Sequence, residues 1–318
     1  MVKKKILITG GCGFIGARLI KRIKKKFKIC VVDNFSSLRS ERKIEKIKTF
    51  LKQNNIKIIK SCISKKNLIK KIPDDIYAIV HLAANAGVEK SIKNPELDLK
   101  DNVKGTLNIL EICKKKNINK IIFSSSNAVV GQTKKKNFES SPTNPISNYG
   151  CSKLSAEKYI QVYSYLYNIK SIILRFGNVF GPGSIDKSSV VSKMCKDAIK
   201  HQKIYVYGSG EQTRDFIYID DILEVIEICL IKNVQSNIFQ LSSGKSTKII
   251  KVAKLIKTVA LKKLKKNVKI IFLEKRTGDV MYSLSEIKKI KKILKWKPSS
   301  NYSKKIVSTF DYILNEKN

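Results

Sequence analysis

The chain has 318 residues, 42% of them hydrophobic, enough for a sizeable core and too many for a disordered basic tail. Its formal charge is +40, but only 7 of its 65 basic residues are arginines. No apolar run approaches the ~20 residues of a membrane span, so a transmembrane protein is excluded.

The lysine excess reads as solvated faces. Phosphate and nucleic-acid readers favour the arginine fork, and the runs 24–26, 114–116 and 134–136 are dispersed without interleaved aromatics. Nucleic acid is therefore not expected as a partner. The opening MVKKKILITGGCG has a positive flank, but its apolar stretch is short and runs into glycines, unlike a signal peptide.

The first apolar run, 6–9, reads as a buried strand, followed by glycines and a helix through Ile15, Leu19, Ile20 and Ile23. Further short apolar runs lie at 28–32, 56–59, 77–82, 120–124 and 171–176. Amphipathic stretches at 41–53, 99–116 and 151–167 stand between them. Buried strands alternating with helices predict an α/β fold, a Rossmann-like doubly wound parallel sheet. After Arg175 the pattern breaks at Gly177 and Gly181-Pro182-Gly183, and a region of mixed character follows.

Gly10-Gly11-Cys12-Gly13-Phe14-Ile15-Gly16 sits between the first strand and the first helix. Glycines there allow a tight turn, close approach of a pyrophosphate and close helix–strand packing, with the helix N-terminus facing phosphate. The second strand ends in Asp33, 23 residues beyond Gly10. A carboxylate there accepts ribose hydroxyls and repels a 2′-phosphate, which favours NAD over NADP.

Ser124-Ser125-Ser126 ends a buried strand, at the edge where open α/β sheets bind ligands. Tyr149 and Lys153 are four apart at a helix start, so they project from one face. A neighbouring ammonium and a cationic nicotinamide both favour the phenolate, so the Tyr149 pKa is expected to fall from its usual ~10 towards about 7. Tyr149 would then take a proton from a sugar hydroxyl while Ser126 hydrogen-bonds that oxygen. His81 reads as a strand-end packing residue.

Only two histidines are present, neither in a metal-ligand spacing, and no metal site is expected. The seven cysteines form no CxxC pair, which fits free thiols and a cytoplasmic location.

These motifs, with VVDN at 31–34, HLAA at 81–84, NVKGTLNIL at 102–110, NPISNYGCSK at 144–153, LRFGNVFGPG at 174–183, GSGEQTRDFIYIDD at 208–221 and RTGDV at 276–280, resemble an extended short-chain dehydrogenase/reductase of the nucleotide-sugar epimerase/dehydratase family. The resemblance implies an NAD domain over 1–175, to which 215–248 returns, and a nucleotide-sugar domain over 176–214 and 249–318. It implies cofactor contacts from Gly10, Gly13, Phe14, Ile15, Gly16, Asp33, Asn34, Ile63, Leu82, Ala83, Ala84, Asn102, Ser124, Tyr149, Lys153 and Phe176. It implies substrate contacts from Ser126, Asn178, Tyr205, Tyr207, Arg214, Arg276, Asp279 and Ser283.

Two departures stand out. Val130 replaces a usual tyrosine, and Cys62 an aspartate near the adenine. By the same resemblance, 4,6-dehydratases carry an acidic pair after the catalytic serine or threonine, and uronate decarboxylases a glutamate. Here the residues are Asn127 and Ala128, with no carboxylate to act as acid or base, which points to a UDP-sugar 4-epimerase. A dehydratase, a reductase and a non-catalytic NAD-binding protein stay open as alternatives. A position seven residues after the RxGD arginine, here Ser283, lines the hexose pocket near C2 in such epimerases. A short side chain there admits an acetamido group. UDP-N-acetylhexosamines are therefore expected as substrates, with UDP-glucose, UDP-galactose or UDP-glucuronate as the alternative. A homodimer through the helices around 99–116 and 151–167 is also implied.

Overall fold

The computed structural model describes residues 3–38, 40–133, 135–187, 189–276 and 280–316. The elements run β1 (Lys5–Thr9), α1 (Phe14–Ile23), β2 (Lys28–Asp33), α2 (Glu41–Gln53), β3 (Lys57–Lys60), β4 (Ile76–His81), α3 (Val88–Lys93), α4 (Pro95–Asp98), α5 (Gly105–Lys115), β5 (Lys120–Ser126) and α6 (Asn148–Tyr167). Then come β6 (Lys170–Phe176), β7 (Asn178–Phe180), α7 (Val190–His201), β8 (Lys203–Tyr207), β9 (Thr213–Tyr218), α8 (Ile219–Ile231), β10 (Asn237–Leu241), β11 (Ser246–Lys248), α9 (Ile249–Leu264), β12 (Lys269–Leu273), α10 (Lys288–Leu294) and α11 (Tyr302–Asn315).

The chain forms two compact units. The first comprises 1–129, 145–175 and 223–239; the second comprises 130–144, 176–222 and 240–318.

A seven-stranded sheet has the order β10-β6-β5-β4-β1-β2-β3. β1 pairs in parallel with β2 and β4, β2 with β3, and β4 with β5. The order turns back on itself between β1 and β4, which is where doubly wound sheets hold ligands. Leu7, Val32, Ile79, Ile121 and Phe123 pack in the core of the first unit, each buried. Full burial of such a side chain contributes roughly 1.5–3 kcal/mol. These strands read as continuous apolar runs because helices cover both faces.

Local chemistry sets the helix ends. Ser147 caps α6 by accepting from Gly150 N at 3.1 Å, so the helix starts at Asn148, three residues before its apolar periodicity does. It ends at Asn168, in the left-handed region with φ 52°. The stretch Leu99–Lys104 is a π-helical turn leading into α5, so 99–116 is not one uniform helix.

The second unit holds a three-stranded sheet, β11-β9-β7, and a parallel pair, β12 with β8. Its core gathers Phe180, Ile204, Phe216, Val252, Ile256 and Phe310. No helix of the described residues is long and apolar enough to cross a membrane.

Candidate active site

The glycine loop is shaped by close approach. Gly10 has φ +69°, and a Cβ on it would lie 2.7 Å from Ala83 N, so β1 and the start of the Leu82–Ala84 loop meet without a side chain between them. A Cβ on Gly16 would lie 2.3 Å from Gly10 O, so α1 packs directly on the loop. Gly13 caps α1 without any side-chain hydrogen bond, and no acidic residue occupies the first turn. A Cβ there would meet only Gly10 O at 3.3 Å and Ser37 Oγ at 3.7 Å, so the cradle beside the first-turn amides is open. That donor set and space fit a dinucleotide diphosphate. Phe14 and Ile15 in this first turn are half-buried.

Asp33 closes the other side. Its carboxylate accepts from Cys12 N at 2.8 Å and from Phe35 N at 2.7 Å, which fixes it at the end of β2 against the glycine loop. Burial pushes its carboxyl up, and the three backbone donors Cys12, Phe35 and Asn34 pull it back. Asn34 is exposed and turns its side chain onto Ser36 N. Thr9 holds the facing loop: its carbonyl accepts from Leu82 N and its hydroxyl from Ala83 N. Ala84 is half-buried there.

Ile63 is a core residue, while Cys62 points its thiol at Ser64 Oγ, 3.1 Å away, and at Asp101 Oδ1, 3.4 Å away. Asn102 is buried and clasps Asn85, accepting from its N–H at 2.8 Å and reaching its carbonyl at 3.2 Å. Its amide also lies 2.9 Å from Asp98 Oδ1 and 3.0 Å from Ser152 Oγ. Asn102 thus ties the Leu82–Gly87 stretch to α6.

The three serines ending β5 divide their work. Ser124 donates to His81 O at 3.0 Å, and Ser125 donates to the buried Glu157. Ser126 hydrogen-bonds the Tyr149 phenol. Lys153 is buried, donates to Ser124 O at 2.8 Å, lies over the Phe123 ring at 4.6 Å and stands 6.0 Å from the Tyr149 ring centre. The spacing of Tyr149 and Lys153 therefore does bring both to the strand end that carries Ser126.

The expected lowering of the Tyr149 phenol rests partly on a bound nicotinamide cation. In the chain alone the Tyr149 phenol is not lowered towards neutrality. Burial pushes it up to about 12, Asp98 adds to this, and the Ser126 hydrogen bond opposes it. Burial also brings Lys153 down to about 8, with Asp98 and Glu157 holding it up. A buried phenol cannot ionise cheaply without a compensating positive charge.

His81 is fully buried; its Nδ1 lies 2.7 Å from Thr9 Oγ1 and its Nε2 3.1 Å from Thr106 Oγ1. Burial and the Lys153 charge bring it down to about 3, so it packs as a neutral ring.

Glu157 and Arg175 carry no signal used above. Arg175 donates to Glu157 from Nη2 at 2.7 Å and from Nε at 3.0 and 3.2 Å, joining α6 to β6 beside Ser125. Glu157 continues the Tyr149–Lys153 face by another four residues, and that spacing could have revealed it.

In the second unit, Arg276 lies 3.6 Å from the Tyr207 ring centre and hydrogen-bonds its hydroxyl, which also accepts from Lys193 at 3.1 Å. These cations hold the Tyr207 phenol below its ordinary range. Tyr205 sits two residues earlier on the same face of β8, half-buried. Arg214 donates to Thr213 O and Val280 O. Its neighbour Asp215 is buried and accepts from Ser243 N and Oγ, Gly244 N and Ser285 N, which holds the segment after Ser283. Burial pushes the Asp215 carboxyl up to about 6. Asn178 pairs opposite Phe216 in β7, Phe176 is buried at the end of β6, and Ser283 is half-buried. Asp279 lies outside the described residues.

The sequence profile of the NAD dependent epimerase/dehydratase family matches residues 6–241. A Methanocaldococcus jannaschii protein provisionally named UDP-glucose 4-epimerase is 33% identical, over 98% of each chain. The UDP-N-acetylglucosamine 4-epimerase of Methanobrevibacter ruminantium, solved with UDP-N-acetylmuramic acid, superposes with a TM-score of 0.87 at 28% identity, covering 99% of this chain and 100% of that one. The UDP-glucuronic acid 4-epimerase of Bacillus cereus, solved with UDP-glucuronic acid and NAD, gives 0.90 at 26% identity, over 98% and 99%. An open glycine cradle beside a fixed aspartate, a serine–tyrosine–lysine cluster and a profile spanning most of the chain converge: the protein belongs to the NAD dependent epimerase/dehydratase family, with NAD as its cofactor.

Proposed function

We propose that the chain is a UDP-hexose 4-epimerase whose substrates include the N-acetylhexosamines. The observation that carries this reading is the hydrogen-bonded Ser126–Tyr149 pair beside the buried Lys153, followed by a turn, Asn127–Val129, without a carboxylate. Tyr149 takes the proton of the sugar 4-hydroxyl, and Ser126 holds that oxygen by hydrogen bonding. When bound, oxidised NAD supplies the hydride acceptor and a positive charge that favours the Tyr149 phenolate. Lys153, charged below about pH 8, adds its field to the same end. With no second acid or base at Asn127 or Ala128, the chain can move a proton at the 4-oxygen but cannot eliminate water across C5 and C6. The 4-keto sugar turns over, and Tyr149 returns the proton to its oxygen while C4 would regain its hydride on the opposite face, so the reaction has no net redox change.

Gly10, Gly13, Gly16 and Asp33 hold the dinucleotide, and Asp33 selects NAD against NADP. Arg214, Arg276 and Asp279 grip the nucleotide diphosphate and ribose, with arginine chosen for its planar fork. Tyr205 and Tyr207 flank the uracil, and Ser283 leaves room at the sugar C2 position. The relatives solved with UDP-sugars support this assignment.

The chain pairs with a second copy of itself. Leu97 and Leu99 are exposed, as are Tyr159, Val162, Tyr165 (89%) and Leu166 on α6. Exposed apolar side chains of this number on one helix and the turn before α5 fit an isologous dimer face.

Purified protein incubated with UDP-N-acetylglucosamine should yield UDP-N-acetylgalactosamine by NMR. Turnover of UDP-glucose or UDP-glucuronate alone would move the substrate assignment. Formation of a 4-keto-6-deoxy sugar would replace epimerisation by dehydration.

A further inference from the structure

Two buried carboxylates, Asp98 and Glu157, favour the charged form of Lys153. Glu157 is matched by the Arg175 guanidinium, which donates to it through Nε and Nη2. Asp98 is held by neutral donors instead, the Asn102 amide at 2.9 Å and the Ser152 hydroxyl, and is 1% exposed. Ser152 immediately precedes Lys153 on α6, and its Oγ lies 3.1 Å from Tyr149 O. A buried carboxylate whose donors are neutral keeps its field for the nearest cation.

The other groups around Lys153 do not substitute for it. β5 offers the Ser124 carbonyl and the Phe123 ring, β4 offers the neutral His81, and α6 offers Tyr149. Asp101, near Asp98, adds to the negative charge on that side.

We propose that Asp98 is a positioning residue for the reaction: clasped by Asn102 and Ser152 behind α6, its carboxylate keeps Lys153 an ammonium and so sets the pH range in which the Tyr149–Lys153 pair works. Burial pushes the Asp98 carboxyl up, while Ser152 and the Lys153 charge pull it down, so the two groups support each other's charged forms. Removing the carboxylate lowers Lys153 and, by the same sign, lowers the Tyr149 phenol. Both limbs of the rate profile therefore move to lower pH. The rate profile rests on the epimerase reading; the titration below does not.

The test labels the whole chain with carbon-13 at the lysine ε position and follows pH by NMR. The Lys153 signal is the one lost in Lys153→Met, and it should titrate at about 8, well below an ordinary lysine at ~10.4. In Asp98→Asn its midpoint should fall by roughly one unit or more, and Asp98→Glu should bring it back. The alkaline limb of UDP-hexose turnover should follow the same shift. Coupling is reciprocal, so the Asp98 carboxyl in Lys153→Met should titrate higher than in the wild type, and this arm needs no folded Asp98 variant. An unchanged Lys153 midpoint in folded Asp98→Asn, or an unchanged Asp98 midpoint in Lys153→Met, overturns the proposal while leaving the epimerase reading intact. A wild type that turns over no UDP-hexose sinks that reading and leaves the titration readable.

Discussion

The two units carry their candidate residues on different kinds of support. In the first, Asp33, Ser124, Asn102 and Lys153 are buried at strand ends and helix turns, each bonded to backbone or to a second buried side chain, and they surround the half-buried Ser126 and Tyr149. In the second, Tyr205, Tyr207, Arg214, Arg276 and Ser283 are half-buried, and Arg276 lies beyond β12 in a loop. The difference matches the two tasks. Proton transfer needs donor and acceptor fixed within a fraction of an ångström, which buried hydrogen bonds supply. Gripping a flexible anionic ligand needs solvent-reachable cations that can adjust.

Four substitutions sharpen that contrast, and the largest effect falls in the first unit. Tyr149→Phe should keep the fold and NAD binding and lose roughly 10²–10⁴ in turnover, because the proton acceptor is gone. Steady-state rates with NAD binding measured alongside would show it; near-wild-type turnover breaks the assignment. In the second unit, Arg276→Ala should raise KM for the UDP-sugar by roughly ten- to a hundredfold with a smaller change in kcat, as expected for loss of a charged hydrogen bond to phosphate. A drop confined to kcat would place Arg276 in the chemistry.

Asp33→Ala tests the cofactor end. Binding titrations should show the preference for NAD over NADP narrowing as the repulsive carboxylate is removed. The variant also loses the acceptor of Cys12 N and Phe35 N, so NAD itself should bind more weakly.

The last effect is on stability rather than on turnover. The folded chain holds His81 at about 3, below its ordinary ~6.5, so the unfolded chain binds the extra proton across that window. The His81 contribution is thus complete above about pH 6.5 and falls as the pH drops, by up to about 1.4 kcal/mol per pH unit. Denaturant unfolding at several acid pH values should show this slope in the wild type and not in His81→Gln.

Legibility in the sequence follows the same division. The glycine loop could be read because backbone approach leaves glycine little alternative at Gly10 and Gly16. Tyr149 and Lys153 could be read because a helix puts residues four apart on one face. Asp98 could not: within NPELD it reads as an ordinary acidic residue at a helix start, and its partners Asn102 and Ser152 meet it only through the π-helical turn and α6. The placement of 130–144 with the second unit rests on contacts such as Asn137 N to Leu284 O, 147 residues away, which no local pattern encodes. The raised Tyr149 phenol was hidden for a related reason. The spacing shows that a lysine is near, whereas burial and the Asp98 charge are three-dimensional facts.

The central claim is tested most directly by following UDP-N-acetylglucosamine and UDP-glucose by proton NMR with the purified protein and catalytic NAD. The account predicts that the anomeric signal of the corresponding galacto epimer grows to an equilibrium mixture, with no accumulation of reduced cofactor and no signal of a 6-deoxy sugar. Water loss, stoichiometric cofactor reduction or unchanged spectra for both sugars would contradict it.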